Sequence, residues 1–128
     1  MSNERHLTDT FDSELCVVAA PNREALCDEI QRVIHFLEHA PDVRLADVAY
    51  TLACSSRHMP AVLSIVARTP GELRDRLSIA LSKLRGGAAR IRDKGGMYYF
   101  KDHLYPGGRI AFFFPGAISF YPDILRDL

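Results

Sequence analysis

No stretch of this sequence approaches the roughly 20 consecutive apolar residues of a membrane span. Residues 1–14 are polar and mixed in charge, which is not the pattern of a secretory signal peptide. Cysteine is scarce. Cys16, Cys27 and Cys54 form no C-x-x-C pair and leave one thiol over, a usage that fits a reducing cytoplasm with each thiol acting as a small core residue. Net charge is absent as well: 16 basic and 16 acidic residues cancel, so overall charge gives no case for nucleic acid or a membrane surface. No internal repeat and no low-complexity segment is present. No serine sits in a G-x-S-x-G elbow, no H-E-x-x-H occurs, and the glycine pairs lack the pattern of a P-loop or a dinucleotide fingerprint. No cofactor and no metal is therefore expected.

What is present is an ordinary globular composition, 48% apolar and 25% charged over 128 residues. At about 100–200 residues per domain this is one domain, long enough to bury roughly two thirds of its unfolded surface without disulfides or metal. The zero net charge conceals an asymmetry. Residues 1–56 carry 4 basic and 10 acidic side chains (−6), residues 57–109 carry 11 and 4 (+7), and residues 110–128 carry 1 and 2 (−1). The basic middle can present a positive face to an acidic partner, and it is equally compatible with solvated faces of surface helices and loops.

Residues 1–13 read as a loose tail. Residues 15–20 are a short apolar, β-branched run ahead of Pro21-Asn22 and predict a buried strand. Asn22 is placed to cap a helix, with Glu24 in its first turn and Leu26, Ile30, Val33, Ile34 and Leu37 on one face, ending near Ala40-Pro41. Leu45, Val48, Ala49 and Leu52 suggest a second, shorter helix. Residues 59–67 predict a second strand with Pro60 at its start or on an edge. Thr69-Pro70-Gly71-Glu72 matches a capping box: Thr69 caps, Pro70 takes the first helical position, and Glu72 reaches back to the cap's N–H. Leu73, Leu77, Ala80, Leu81 and Leu84 continue as a third helix, closed by Gly86-Gly87. Residues 88–94 are basic and read as a short helix or a loop. Gly95-Gly96 and Pro106-Gly107-Gly108 are turn signals. Residues 110–114 predict a short buried strand stopped by Pro115-Gly116, and the stretch from Tyr121 predicts the start of a helix.

Few residues suggest chemistry. His35 and His39 are four apart on a predicted helix, one metal-ligand spacing, but zinc takes three or four ligands and no Cys or His partner is visible nearby in sequence. Two surface histidines is the simpler reading. Tyr98, Tyr99, Phe100, Phe112, Phe113 and Phe114 could stack on bases, although aromatics beside glycine turns more often pack in a core or against a neighbour.

Three stretches carry a resemblance. Residues 41–53, PDVRLADVAYTLA, resemble the signature of the linker between ketosynthase and acyltransferase in modular and iterative polyketide synthases. LCVVAAPNREAL upstream is similar to that linker's opening strand and helix start, and RHMPAVLSIVARTPGEL downstream to its second strand and following helix. KGGMYY followed by GGRIAFFFPGAISFYPDILRDL is similar to the crossing into an acyltransferase, closest to polyunsaturated-fatty-acid and enediyne-like synthases. The resemblance covers residues 14–128. It departs after Pro115-Gly116, where Ala117-Ile118-Ser119-Phe120 replace the family's Q/E-G-S-Q; the family's nucleophile elbow and catalytic histidine have no counterpart before Leu128.

The resemblance implies an α+β fold, a small sheet of about three strands packed against two or three helices. After the loose tail over residues 1–13, it implies a linker-like domain over residues 14–109 and a truncated acyltransferase start over residues 110–128. It also implies no catalytic residue and a structural role: positioning ketosynthase and acyltransferase domains and contributing to docking of acyl carrier protein. Carrier proteins of the family are acidic around their prosthetic arm, so Arg90, Arg92, Lys94 and Lys101 are candidate carrier contacts. Tyr98, Tyr99, Phe112, Phe113 and Phe114 are candidate domain-interface residues. In the family the last three enter the acyltransferase core; here they are expected to pack back on the linker or to mediate self-association. Two other readings stay open: a free-standing module that recruits a carrier or a synthase subunit, and a small hydrolase with a scattered triad.

Overall fold

The computed structural model describes residues 11–102, 109 and 111–113. Strand β1 (Glu14–Ala20) alternates cleanly, with Cys16, Val18 and Ala20 buried and Leu15 exposed. Helix α1 (Arg23–His39) starts where Asn22 Oδ1 accepts the N–H of Ala25 at 2.8 Å, and Leu26, Ile30, Val33 and Leu37 form its buried stripe. Helix α2 (Leu45–Ser55) buries Leu45, Val48, Ala49 and Leu52. It has no side-chain cap, and Arg44 pairs with Asp47 at 3.0 Å in its first turn. The Ser56 hydroxyl lies 2.7 Å from both Val17 O and Leu52 O, so its one proton ties the end of α2 to β1.

Strand β2 (Ala61–Ala67) starts just after Pro60, whose missing N–H therefore costs the ladder nothing. Helix α3 (Pro70–Arg85) buries Leu73, Leu77, Ala80, Leu81 and Leu84. Its cap works as the sequence suggests in one half: Thr69 Oγ1 accepts the Glu72 N–H at 3.1 Å. The return contact differs. Glu72 Oε2 accepts the N–H of Arg68 at 2.8 Å, one residue before the cap. That bond, then the Arg76 guanidinium at 2.6 Å, holds the Glu72 carboxyl below its ordinary range.

Two further short strands lie among the described residues, β3 (Arg90–Arg92) and β4 (Met97–Phe100). The sheet thus has four strands in the order β1-β2-β4-β3, where the sequence suggested about three. Residues 88–94, read as helix or loop, contain β3. Its pattern is one buried Ile91 between two exposed arginines, too short to register as alternation. The β3–β4 turn needs glycine: Gly96 has φ +90°, and a Cβ there would stand 2.9 Å from Val66 Cβ. The predicted strand over residues 110–114 is also corrected. Residues 111–113 form no strand, and Phe112 and Phe113 are 81% and 90% exposed. Ile110, Phe114, the turn at residues 106–108, the tail over residues 1–10 and the segment from Tyr121 lie outside the described residues.

All pairings are antiparallel. Glu14 faces Ala67 and Ala20 faces Ala61; Met97 faces Ile65 and Tyr99 faces Leu63. Because β1 and β4 are both antiparallel to β2, they run in the same direction on either side of it. The chain enters β1 at the Ala67 end of β2 and leaves β4 toward the Ala61 end. One face of the sheet joins the three helices in a single core, with Leu26, Ile30, Leu63, Ile65, Leu73, Leu77 and Ile91 all but sealed from solvent. Each such side chain contributes about 1.5–3 kcal/mol by leaving water.

Candidate docking face

The other face of the sheet is built from the alternate residues of the same strands. Leu15, Val17 and Ala19 point outward from β1, Val62, Ser64 and Val66 from β2, Tyr98 and Phe100 from β4, and Arg90 and Arg92 from β3. Register sets them in rows. Leu15 lies opposite Val66, and Val17, Ser64, Tyr98 and Arg92 follow one another across all four strands. Leu15, Val66 and Tyr98 are 56%, 36% and 41% exposed. The result is an open apolar strip with a guanidinium border along the β3 edge. Arginine on a three-residue edge strand also discourages indiscriminate strand pairing.

One of these arginines has an aromatic partner on the same face. The Arg90 guanidinium sits over the ring of Phe100, its cross-strand neighbour. The hairpin beneath them is braced by Asp93, whose Oδ1 accepts the Met97 N–H at 3.0 Å. Lys94 lies exposed in that turn, and Lys101 lies exposed just beyond β4, its N–H donating to Ala89 O at 2.9 Å. All four basic residues singled out from the sequence therefore belong to one hairpin or its immediate flank.

The aromatic set divides. Tyr98 is on the open face. Tyr99, grouped with it as an interface residue, is 3% exposed and points into the core, because successive strand residues face opposite ways. Tyr99 is corrected to a core residue. Phe112 and Phe113 are exposed but in no strand, so they have not packed back on the domain, and Phe114 lies outside the described residues. The pairing of Arg92 with Tyr98 and of Arg90 with Phe100 escaped sequence reading, since it depends on a strand that was not recognised.

No charged or polar residue is buried among the described residues. A groove of about 360 Å³ between α1 and α2 is mostly apolar, lined by Val33, Phe36, Val43, Val48 and Leu52 together with Glu29, Arg32 and Asp47. The Cys16 thiol is pushed up to about 11 by burial and by Glu14, the opposite of an activated nucleophile. Among the described residues, no helix is long and apolar enough to cross a membrane.

Residues 14–77 match the family described as "CurL-like, PKS C-terminal". Polyketide synthase GfsA of Streptomyces halstedii is 30% identical over 112 residues, 88% of this chain and 1% of that protein. Polyketide synthase PksM of Bacillus subtilis (strain 168) is 34% identical over 86 residues, 67% of this chain and 2% of that protein. The chain thus spans only a small fraction of the length of these relatives. Among solved structures, the acyltransferase domain of the iterative polyketide synthase in enediyne biosynthesis is 30% identical with a TM-score of 0.61, covering 70% of this chain and 24% of that one. The ketosynthase from module 6 of the bacillaene synthase of Bacillus subtilis 168 is 25% identical with a TM-score of 0.53, covering 56% of this chain and 12% of that one. The same α+β unit thus accompanies both an acyltransferase and a ketosynthase, and the chain belongs to the CurL-like, PKS C-terminal family of polyketide-synthase sequences.

Proposed function

We propose that this domain is a non-catalytic linker and scaffold of a polyketide synthase, which holds ketosynthase and acyltransferase bodies apart and offers a basic surface to an acyl carrier protein. The observation that carries the reading is the open sheet face: an apolar strip through Leu15, Val66 and Tyr98, bordered by Arg90 and Arg92. An apolar centre with a charged border suits a neighbour that packs firmly on the strip and a second one that comes and goes on the border. Similarity to units that accompany both catalytic domains supports the same reading. Exposed Phe112 and Phe113 extend the apolar surface beyond the sheet and favour contact with a further body or a second copy.

The test is binding of this domain to separately purified ketosynthase, acyltransferase and carrier protein, measured by calorimetry at several salt concentrations. Carrier binding should weaken steeply with salt and be lost in the Arg90→Glu, Arg92→Glu double variant; ketosynthase or acyltransferase binding should be lost in Leu15→Asp, Tyr98→Asp and be less salt-dependent. Salt-insensitive carrier binding, or no binding to any of the three, would count against the proposal. So would turnover of an acyl thioester by the domain alone.

A further inference from the structure

His35, Glu38 and His39 stand exposed on the last turns of α1. At spacings of three and four, residues share one side of a helix. One ligand atom from each lies within 4.8 Å of the other two. The two imidazoles are 4.2 Å apart between ring centres and tilted by 46°. His39 Nδ1 is 2.8 Å from the His35 carbonyl oxygen. A carbonyl only accepts, so Nδ1 is the donor in this contact, and in the neutral ring of that tautomer Nε2 is the nitrogen that can coordinate. A metal-binding histidine is commonly oriented in this way, one nitrogen fixed on a carbonyl and the other left to coordinate. The helix end adds to this: the negative pole of α1 lies at His39, where a cation is favoured. The third ligand is Glu38, a carboxylate beside His39 and not a further Cys or His.

We propose that His35, Glu38 and His39 form a surface site for a divalent transition-metal ion of the zinc or nickel class, with its remaining positions open to water or to a ligand from a neighbouring body. Two imidazoles and one carboxylate suit these ions, whereas calcium and magnesium prefer all-oxygen sets. Tetrahedral ligands at zinc distances stand about 3.4 Å apart, so the side chains close by about an ångström through rotation of exposed χ angles. Arg74 of α3 is paired with Asp75 at 2.8 Å and is raised in pKa first by that partner, with Glu38 adding only the weakest contribution. The site is independent of the docking face, which lies on the opposite side of the sheet from the helices.

The test uses the untagged, chelator-stripped chain and Zn²⁺ or Ni²⁺ alone, followed by calorimetry and by histidine proton NMR. One equivalent should bind, shift the ring protons of His35 and His39 and raise the melting temperature. His39→Ala and His35→Ala should each weaken binding by at least about tenfold, and Glu38→Gln by less, with the metal-free melting temperatures unchanged. Absence of saturable binding would overturn the proposal. So would binding that persists in the His35→Ala, His39→Ala double variant, which would put the metal on another histidine or on Cys54.

Discussion

The guanidinium carbon of Arg90 lies 5.6 Å from the centre of the Phe100 ring, and the two residues face each other across β3 and β4. The contact holds a charge at a fixed height above the sheet, next to Tyr98 and Arg92, on an edge strand only three residues long.

That contact should be measurable by itself. A double-mutant cycle between Arg90→Ala and Phe100→Leu, read by chemical denaturation, should return a coupling of about 0.5–1 kcal/mol. A coupling near zero would mean that the arginine is not held by the ring.

Gly96 should tolerate no side chain. Its φ of +90° and the 2.9 Å approach of an added Cβ to Val66 predict that Gly96→Ala costs about 1–2 kcal/mol or more. Gly87 has a similar φ of +87° but open space around it, so Gly87→Ala should cost less. Equal losses in thermal melts would show that backbone strain alone accounts for both.

Cys16 should make the fold sensitive to alkali. Its thiol pKa is raised from 9.0 to about 11, so its contribution is intact below pH 9 and is lost as pH rises toward 11 and beyond. Cys16→Ala should be less stable at neutral pH, because it leaves a cavity, and flatter above pH 9. With a thiol reagent on the native protein, exposed Cys54 should react first and Cys16 only on unfolding.

The start of α3 should give the opposite slope. Glu72 has its carboxyl pKa lowered by the Arg68 N–H and by Arg76, so its contribution is present above the ordinary value of 4.5 and is lost as pH falls below it. Glu72→Gln should flatten the acid side of the stability profile. Thr69→Ala should cost about 1 kcal/mol at every pH, since it removes the hydroxyl that takes the Glu72 N–H.

Much of this architecture was legible from local chemistry. Asn22, Thr69 and Pro70 announce helix starts because a cap needs only residues within one turn of it. The stripes of α1, α2 and α3 are long enough for a period of 3.6 to stand out. The β3–β4 hairpin was not legible. Arg90-Ile91-Arg92 offers one apolar residue, and it becomes a strand only because Tyr98, Tyr99 and Phe100 lie alongside to pair with it. For the same reason sequence alone groups Tyr98 and Tyr99 together as interface candidates, whereas pairing to β2 sends Tyr99 inward and leaves Tyr98 out. The docking face is a property of register, which distant pairing fixes. Glu38 does not stand out as a ligand in the sequence, because a carboxylate beside a histidine is commonplace on an exposed helix face.

The register of β1 and β4 on β2 has a mechanical side. Traction applied through the flanking chain would drag these two strands lengthwise past β2 from opposite ends, about 13 Å apart along its axis. Rungs of both ladders would then bear the load together in shear, instead of peeling one by one. Loaded in this manner the sheet would resist extension as one unit up to the point where both ladders give way together.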